Sequence, residues 1–418
     1  MALTDPYPGG STIKKNNQWS HGMNVLVFNC GSSSQSARLY KVEAGGKPQI
    51  LATLKANNVD TLTSASPEIV WQIAGQTSSR KAQRLTHRDA AEAILELLHD
   101  HGQSVEAVGH RFVHGGDYFN ATARVTDDVL NKLRVCFPLA PIHNPNSFSV
   151  IDLCLDALPE IPQFAVFDTA FHTGLPEAAK RYALSLELTE KFGYRKYGFH
   201  GLSCQYVSAK AAGLLGKPLD QVKLIICHLG SGGSSVTAFA DGHSVDTSMG
   251  YSPLAGLVMS TRCGDLDPGI LIDLARQGYN AEQVELLLNH QSGLAGLSGY
   301  SSNLAEVIAK AEVGDERCRL AFEVYSNRLK HYLGAFTWQL NQPDAILFTD
   351  GIGVSSWQLR EKVCSGVENL GIRIDPAANR AADPDRATWV QAEGSTVKIL
   401  ILPTDEERVI LDEVMRCL

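Results

Sequence analysis

The chain contains the same strand, turn and strand pattern twice, about half its length apart. The apolar run VLVF is followed over 29–34 by NCGSSS and then by the strand-like run SARLYKV. The run LIIC is followed over 228–235 by HLGSGGSS and then by VTAFA. Small residues cannot build a core, so each Gly/Ser stretch predicts a tight turn whose backbone N–H groups and hydroxyls stay accessible. The repetition predicts two related domains, each with a surface that suits an anion such as phosphate.

Helix and strand patterns alternate through the rest of the chain. Thr86 is followed by Asp89 and an apolar-periodic stretch, which predicts a helix that begins with a capping box. The stretch 315–340 repeats apolar residues at helical spacing. A third glycine loop, TDGIG over 349–353, follows the strand AILF and precedes the predicted helix SSWQLREKVCSGVENLG. This alternation predicts an α/β architecture with a ligand site in a cleft between the two domains.

The C-terminal segment predicts a strand and a final helix. The run VKILIL precedes Pro403, and Thr404 with Glu407 has the spacing of a second capping box. That interpretation leaves the neighbouring Glu406 without a structural role.

Charge and length exclude several classes of function. A chain of 418 residues with 44% hydrophobic residues is expected to form two domains. Its net charge of −8 is spread along the chain, which argues against nucleic acid or an anionic membrane as the main partner. No apolar run approaches the length of a membrane span.

The cysteines and the first residues favour a cytoplasmic protein. Nine cysteines are scattered singly, and an odd number cannot all pair within one chain, so a reducing compartment is expected. Residues 1–22 are polar and lack the apolar centre of a signal peptide. They are either a native extension or a leftover of expression cloning.

Charged and imidazole residues interrupt otherwise apolar segments at several predicted strand ends, where ligands bind in α/β folds. These residues are Arg111, His114, His143, Asp168, His172, His200, Arg262 and Asp265. Structural roles remain open for them: Asp168 as a turn cap, Arg111 as a buried ion-pair partner, and the histidines as hydrogen-bonding core residues. Together they offer the cationic groups that phosphoryl transfer needs around its equatorial oxygens.

The ordered motifs resemble those of the acetate kinases and their propionate and butyrate kinase relatives. The resemblance runs from about Met23 to the C-terminus. The motifs are NCGSSS, GHRFVHGG, APIHNPNS, VFDTAFHTGLPE, YGFHGLS, CHLGSGGS, SVDTSMGYSPLAGL, TRCGDLDP, SGLAGLSGYSS and PTDEE.

The resemblance implies two related actin-like domains of the sugar-kinase, Hsp70 and actin superfamily, with a ribonuclease H-like fold, around a central cleft. The N-terminal domain would span 23–170 and be completed by 406–418, after the extension 1–22. The C-terminal domain, 171–405, would carry the nucleotide-side loops and a homodimer surface. The implied reaction is direct, in-line transfer of phosphate between ATP and acetate, giving acetyl phosphate and ADP, with Mg²⁺ or alternatively Mn²⁺.

Carried over by position, the resemblance assigns a role to each motif residue. Arg111 and Arg262 would bind the carboxylate or acyl phosphate, Asp168 would orient or deprotonate the acid, and His200 would stabilise the migrating group. Asn29 and Glu406 would hold the metal, partly through water. The acyl side would consist of Arg111, Val113, Ile142, His143, Phe199 and Pro253. The nucleotide and phosphate side would consist of Ser32, Ser34, His228, Leu229, Gly230, Ser231, Gly232, Asn303, Leu304, Ala305, Gly351, Ile352 and Gly353.

The sequence departs from the family pattern mainly on the nucleotide side. The substituted positions are Ser36, Leu202, Cys204, Ser231, Asn303, Ala305, Asp350, Val354 and Ser355. Ser36 and Ala305 each replace a basic residue and Asp350 replaces a glycine, so we expect weaker binding of a triphosphate. The acyl side is intact, and Val113 favours acetate over propionate.

Four interpretations therefore remain open besides ATP-dependent acetate kinase activity. The donor site is altered toward pyrophosphate or orthophosphate, or the acid is another short one such as propionate. A third interpretation is a regulatory protein that binds acetyl phosphate and turns over poorly; the complete transfer set argues against it. Sugar kinase activity is a weaker option.

Overall fold

A computed structural model describes residues 22–60 and 66–418. The predicted extension lies outside the described residues except for Gly22. The described residues form two compact units. The first unit comprises 22–60, 66–171 and Asp405–Leu418, and the second unit comprises His172–Thr404. The sequence boundaries at 170/171 and 405/406 remain predictions.

Both units contain strands and helices. The strands are β1 Met23–Cys30, β2 Ser34–Val42, β3 Gln49–Asn57, β4 Glu68–Ile73, β5 Gln76–Lys81, β6 Ala107–Phe112, β7 Ala123–Arg124, β8 Gln163–Phe167, β9 Leu224–Leu229, β10 Ser234–Ala240, β11 His243–Thr247, β12 Ala345–Thr349, β13 Thr388–Trp389 and β14 Lys398–Ile401. The helices are α1 His87–Asp100, α2 Asp127–Val135, α3 Asn144–Ala157, α4 Glu177–Lys180, α5 Leu186–Phe192, α6 Gly201–Leu215, α7 Pro268–Arg276, α8 Ala281–His290, α9 Gly293–Ser298, α10 Leu304–Glu312, α11 Glu316–Leu340, α12 Asp350–Ser355, α13 Trp357–Cys364, α14 Pro376–Ala381 and α15 Glu406–Cys417.

The two units share a five-strand arrangement. In the first unit the sheet order is β5-β4-β3-β2-β1-β6-β8-β7, and in the second it is β11-β10-β9-β12-β14-β13. In each, three consecutive strands form an antiparallel meander whose first strand pairs in parallel with a later strand, which pairs in parallel with another. The predicted α/β architecture and the predicted relatedness of the two domains are therefore confirmed.

The packing of α15 explains one glycine of the first sheet. This helix packs on β1 and β6. A Cβ on Gly109 would come within 2.7 Å of Val414 and 2.8 Å of Ile410, so only glycine permits this approach. The close packing brings the start of α15 next to the end of β1.

The local predictions met different outcomes. The capping box of Thr86 and Asp89 is present, and α11 begins after the cap residue Asp315 as predicted. The capping box predicted for the final helix is wrong: Asp405 is the cap residue and accepts from the Arg408 N–H. The loop predicted over 349–353 is also wrong in part, because the helix α12 begins there at Asp350. Both errors concern helix starts, where cap residues compete.

Two global features agree with the sequence. All nine cysteines are free thiols. Over 22–60 and 66–418, none of the helices combines the length and the apolar character needed to cross a bilayer.

Candidate active site

Arg111 and Asp168 form a two-bond ion pair in the first unit. Arg111 lies on β6 and Asp168 follows β8 directly, and these strands are parallel neighbours, so both side chains emerge at one sheet edge. The Nε of Arg111 donates to Oδ1 of Asp168 at 2.9 Å, and Nη2 donates to Oδ2 at 2.5 Å. The side chains are 12% and 1% exposed. The structural interpretation of Arg111 as an ion-pair partner therefore describes its contacts with Asp168.

The remaining donors of Arg111 are largely occupied as well. Its Nη1 donates to Asn29 Oδ1 at 3.2 Å and to the Cys30 carbonyl at 3.3 Å. Burial alone would lower the pKa of Arg111, but Asp168 and Glu406 raise it above its usual value. Of the five guanidinium hydrogens, one on Nη2 has no acceptor among the described residues. Arg111 thus offers one oriented N–H to a ligand.

Asn29 and Glu406, the two residues predicted to hold a metal, are in contact. The Nδ2 of Asn29 donates to Glu406 Oε2 at 3.0 Å. Because the Asn29 oxygen is turned to Arg111, Asn29 suits a contact with a metal through water. Mg²⁺ commonly keeps several waters and takes one or two carboxylates plus substrate phosphates. Within 22–60 and 66–418 no group of three or more His, Cys, Asp or Glu is arranged to hold a metal ion, and the metal role of Asn29 and Glu406 remains a prediction.

Glu407 contacts the neighbouring strand β2, which the sequence did not predict. The Ser36 hydroxyl donates to Glu407 Oε1. The Arg38 guanidinium lies 2.7 Å from Asp405 Oδ1 and 3.8 Å from Glu407 Oε2. Burial would lower the pKa of Arg38, but Glu407 raises it above its usual value. Ser36 and Arg38 are two positions apart on β2 and so lie on the same face of the strand. This spacing is the sequence pattern that could have revealed both residues.

His200 and Arg262 approach the same glycine turn in the second unit. The turn 230–233 joins β9 to β10, and the Gly230 N–H donates to the Gly233 carbonyl at 3.1 Å. A Cβ on Gly233 would lie 3.1 Å from His200 Nε2 and 3.5 Å from Arg262 Nη1. The absence of a side chain at Gly233 therefore lets an imidazole and a guanidinium reach the turn.

His200 is held in a costly backbone conformation. It precedes α6 with a φ of 58°, a left-handed conformation that non-glycine residues rarely adopt. Its Nδ1 is 2.9 Å from Ser235 Oγ, and its ring stacks on His228 with centroids 4.1 Å apart. Such strain clusters at functional sites, where the surrounding contacts enforce it.

Arg262 has no carboxylate partner among the described residues. Its Nη1 donates to the Pro253 carbonyl at 3.2 Å and contacts Met259 Sδ at 3.9 Å. Burial lowers the pKa of Arg262. A largely buried guanidinium without a counter-charge is a favourable partner for an anion.

His228 and Asp350 lie beside the same turn. His228 is the penultimate residue of β9, and its Nδ1 is 2.8 Å from Ser203 Oγ. Its Nε2 is 3.2 Å from Asp350 Oδ2. A Cβ on Gly230 would collide with that same carboxylate oxygen, so Asp350 lies directly over the turn.

The other predicted acyl-side residues differ in exposure. Val113 and Phe199 are buried, at 4% and 1% exposure, whereas Ile142 is 38% exposed. His143 precedes α3 without a side-chain cap bond, and Pro253 is half-buried. The first unit contains Val113, Ile142 and His143, and the second contains Phe199 and Pro253.

The predicted nucleotide-side residues mostly have structural contacts of their own. Asn303 caps α10 by accepting from the N–H groups of Ala305 at 2.9 Å and Glu306 at 3.4 Å. The side chains of Leu229 and Leu304 are buried, so only their backbones could reach a ligand. Of the remaining residues, Ser34 begins β2 and His228 lies near the end of β9. The others lie in the two turns or in the first part of α12: Ser32, Gly230, Ser231, Gly232, Gly351, Ile352 and Gly353.

Comparison with known proteins decides the family. The family model described as the acetokinase family matches residues 24–412. An acetate kinase from Alkaliphilus metalliredigens is 41% identical over 94% of this chain and 99% of its own. The chain belongs to the acetokinase family.

Solved structures show the same relationship. The acetate kinase of Entamoeba histolytica is 38% identical with a TM-score of 0.84, over 94% of this chain and 99% of that one. A propionate kinase from Francisella tularensis is 36% identical with a TM-score of 0.84, over 94% and 98%. The resemblance read from the motifs is thus confirmed, and this acetokinase-family chain is a phosphotransferase that acts on a carboxyl group. The roles assigned to single residues remain predictions.

Proposed function

We propose that the chain catalyses reversible phosphoryl transfer between ATP and acetate, giving acetyl phosphate and ADP. An acetate oxygen attacks the γ-phosphorus in line, a new O–P bond forms, and the bond to the β-phosphate bridging oxygen breaks. The convergence of His200 and Arg262 on Gly233 carries this proposal, because these are the groups that a transferring phosphoryl group requires.

The ion pair of the first unit supports an acyl-side role. Since both oxygens of Asp168 accept from Arg111, Asp168 holds the guanidinium in one orientation. The remaining Nη2 hydrogen of Arg111 then has a fixed direction toward an acyl oxygen. Asp168 acts in this proposal mainly by orientation, since the acid is already ionised near neutral pH.

We propose Mg²⁺ as the metal, with Mn²⁺ as an alternative. Glu406 would hold the ion, and Asn29 would contact one of its waters. When bound with the nucleotide, the ion neutralises phosphate charge. At the same edge of the first sheet, Arg111 would thus bind the acyl substrate, and Glu406 would hold the metal ion that binds with the nucleotide.

The test is consumption of acetyl phosphate with ADP, GDP or orthophosphate as separate acceptors. Transfer to ADP with formation of ATP is expected. Consumption of acetyl phosphate with orthophosphate alone would show that the phosphoryl donor is pyrophosphate instead of ATP. No transfer to any acceptor would refute the enzymatic proposal. A reaction without acceptor measures spontaneous hydrolysis.

Propionate is a second candidate acid because the Francisella tularensis propionate kinase is as similar in structure as the acetate kinases. Val113 is buried, and its acyl-side position, carried over from the family resemblance, would favour acetate. A methylene group changes specificity by only about 1–3 kcal/mol in such pockets. We therefore expect slower turnover of propionate, measured as the ratio of kcat/KM values.

We also propose a cytoplasmic homodimer. Helices α5 and α7 expose apolar side chains, with Leu186 60%, Phe192 49%, Ile270 46% and Ile272 56% exposed. Apolar surface of this extent favours association. Free thiols throughout the chain agree with a reducing compartment. Light scattering coupled to size-exclusion chromatography should give twice the chain mass of 45.3 kDa.

A further inference from the structure

Asp350 places a negative charge at the turn that the proposed function assigns to donor phosphates. The collision of its Oδ2 with a Cβ built on Gly230 locates the carboxylate directly over the turn. The same oxygen is 3.2 Å from His228 Nε2. Around the turn, His200 and Arg262 approach Gly233 from its other end. The Asp350 carboxylate thus lies at a turn whose surrounding imidazole and guanidinium groups favour an anion.

The backbone shows that this placement is enforced. Asp350 has a φ of 61°, in the left-handed region that favours glycine. It follows the buried strand β12 immediately, so its direction is set by the sheet. Its side chain is 38% exposed while that of His228 is 6% exposed, so the carboxylate stays accessible and the imidazole is fixed.

We propose that Asp350 is a resident anion that competes with donor phosphates for the 230–233 turn and determines donor specificity. The inference rests on the proposed phosphoryl transfer and specifies its donor side. A polyphosphate must displace the carboxylate from His228 or bind beside it, and both alternatives cost affinity. The cost grows with the phosphate charge at the turn, so the carboxylate weakens the binding of a triphosphate more than that of a less charged donor.

The experiment measures binding rather than turnover. Calorimetric affinities for ADP with Mg²⁺, and for adenosine, are compared between the natural chain, Asp350→Asn and Asp350→Gly. Asn keeps the size of the side chain and tolerates the left-handed backbone, so it isolates the charge. We expect about tenfold tighter ADP binding in both variants, with screening of the partly exposed carboxylate included, and unchanged affinity for adenosine. The gain should shrink as salt is added.

A matched control exists in the same unit. Asp241 also has a left-handed backbone, with a φ of 53°, and is exposed in the turn between β10 and β11. Asp241→Asn and Asp241→Gly make the same changes in charge and strain and should leave ADP affinity unaltered. Melting temperatures verify that all four variants are folded.

Several outcomes would overturn the inference. Unchanged ADP affinity in both Asp350 variants shows that the carboxylate does not compete. Tighter ADP binding in Asp350→Gly alone would assign the effect to the size of the Asp350 side chain instead of its charge. Weaker binding that depends on Mg²⁺ identifies Asp350 as a metal ligand. These results are separate from the proposed function, which fails if acetyl phosphate is consumed with orthophosphate alone or with no acceptor.

Discussion

Arg111 and Asp168 are joined by two hydrogen bonds, 2.9 Å and 2.5 Å long, between neighbouring parallel strands. Asp168→Ala leaves a largely buried guanidinium without its counter-charge. We expect turnover to fall by at least about a hundredfold and the unfolding free energy to fall by about 3–5 kcal/mol. Steady-state kinetics and urea denaturation measure the two effects.

A double-mutant cycle separates the charge pair from general damage. Combining Arg111→Met with Asp168→Leu removes both charges, so the loss of stability should be smaller than the sum of the single losses. Activity should stay as low as in the single variants. Additive losses of stability would contradict the coupling read from the two bonds.

Gly233 gives His200 and Arg262 access to the turn. The Cβ of a Gly233→Ala variant would lie 3.1 Å from His200 Nε2, closer than most contacts of a side-chain carbon. We expect kcat to fall at least about tenfold, because small displacements of catalytic groups are costly. In Gly213→Ala on α6 the new methyl group meets no atom within 4 Å, so this control should retain activity. Equal kcat values for Gly233→Ala and Gly213→Ala would show that the active site does not require glycine at position 233.

Glu406 is the proposed protein ligand of the metal. Glu406→Gln removes the charge with little change in volume and should raise the Mg²⁺ concentration for half-maximal rate by about tenfold or more. The matched control is Glu92→Gln on α1, since Glu92 is exposed in the same unit. A Mg²⁺ titration at saturating nucleotide tests both variants. Identical Mg²⁺ curves would transfer the ligand role away from Glu406.

The sequence predicts those parts of the site that depend on strand ends. Arg111 and Asp168 each end or follow an apolar run, and parallel pairing of β6 with β8 brings such positions together. The sequence also predicts the bare turns that the structure places at 31–33 and 230–233, since small residues exclude core packing. These features follow from local chemistry and the general rules of α/β sheets.

Long-range side-chain partners were not readable. Ser36 and Glu407 are 371 positions apart, and their contact requires α15 to return to the first sheet. Local spacing favoured a capping role for Glu407 instead, and the competing cap residue Asp405 prevailed. Asp350 was visible as a substitution, but its position over Gly230 depends on a backbone angle that no pattern encodes.

Asn303 has a structural contact that competes with its proposed nucleotide role. Its side chain caps α10, so Asn303→Ala should lower the unfolding free energy by about 1 kcal/mol, whereas Asn303→Asp keeps an equally good cap. If Asn303 also contacts the nucleotide, both variants change the KM for ADP. Thermal melting and ADP kinetics on both variants distinguish the roles: an altered KM confined to the Ala variant points to the cap alone.

His110 should make the protein sensitive to acid. It is 1% exposed beside Phe28, and its Nε2 is 2.9 Å from Gln163 Oε1. Burial lowers the pKa of His110 from 6.5 to about 4. The unfolded chain therefore binds a proton more readily than the folded chain between these values. Neutral His110 lowers the stability of the folded state at no pH above its pKa in the unfolded chain. As the pH falls from that value toward the pKa in the folded chain, the unfolding free energy decreases. From pH 7 to 5 the unfolding free energy should fall by about 2 kcal/mol through this effect.

Urea denaturation of His110→Gln should show a correspondingly smaller decrease in the unfolding free energy, and His99→Gln at the exposed end of α1 serves as the control. A decrease in His110→Gln equal to that of the natural chain would show that other groups govern the acid sensitivity.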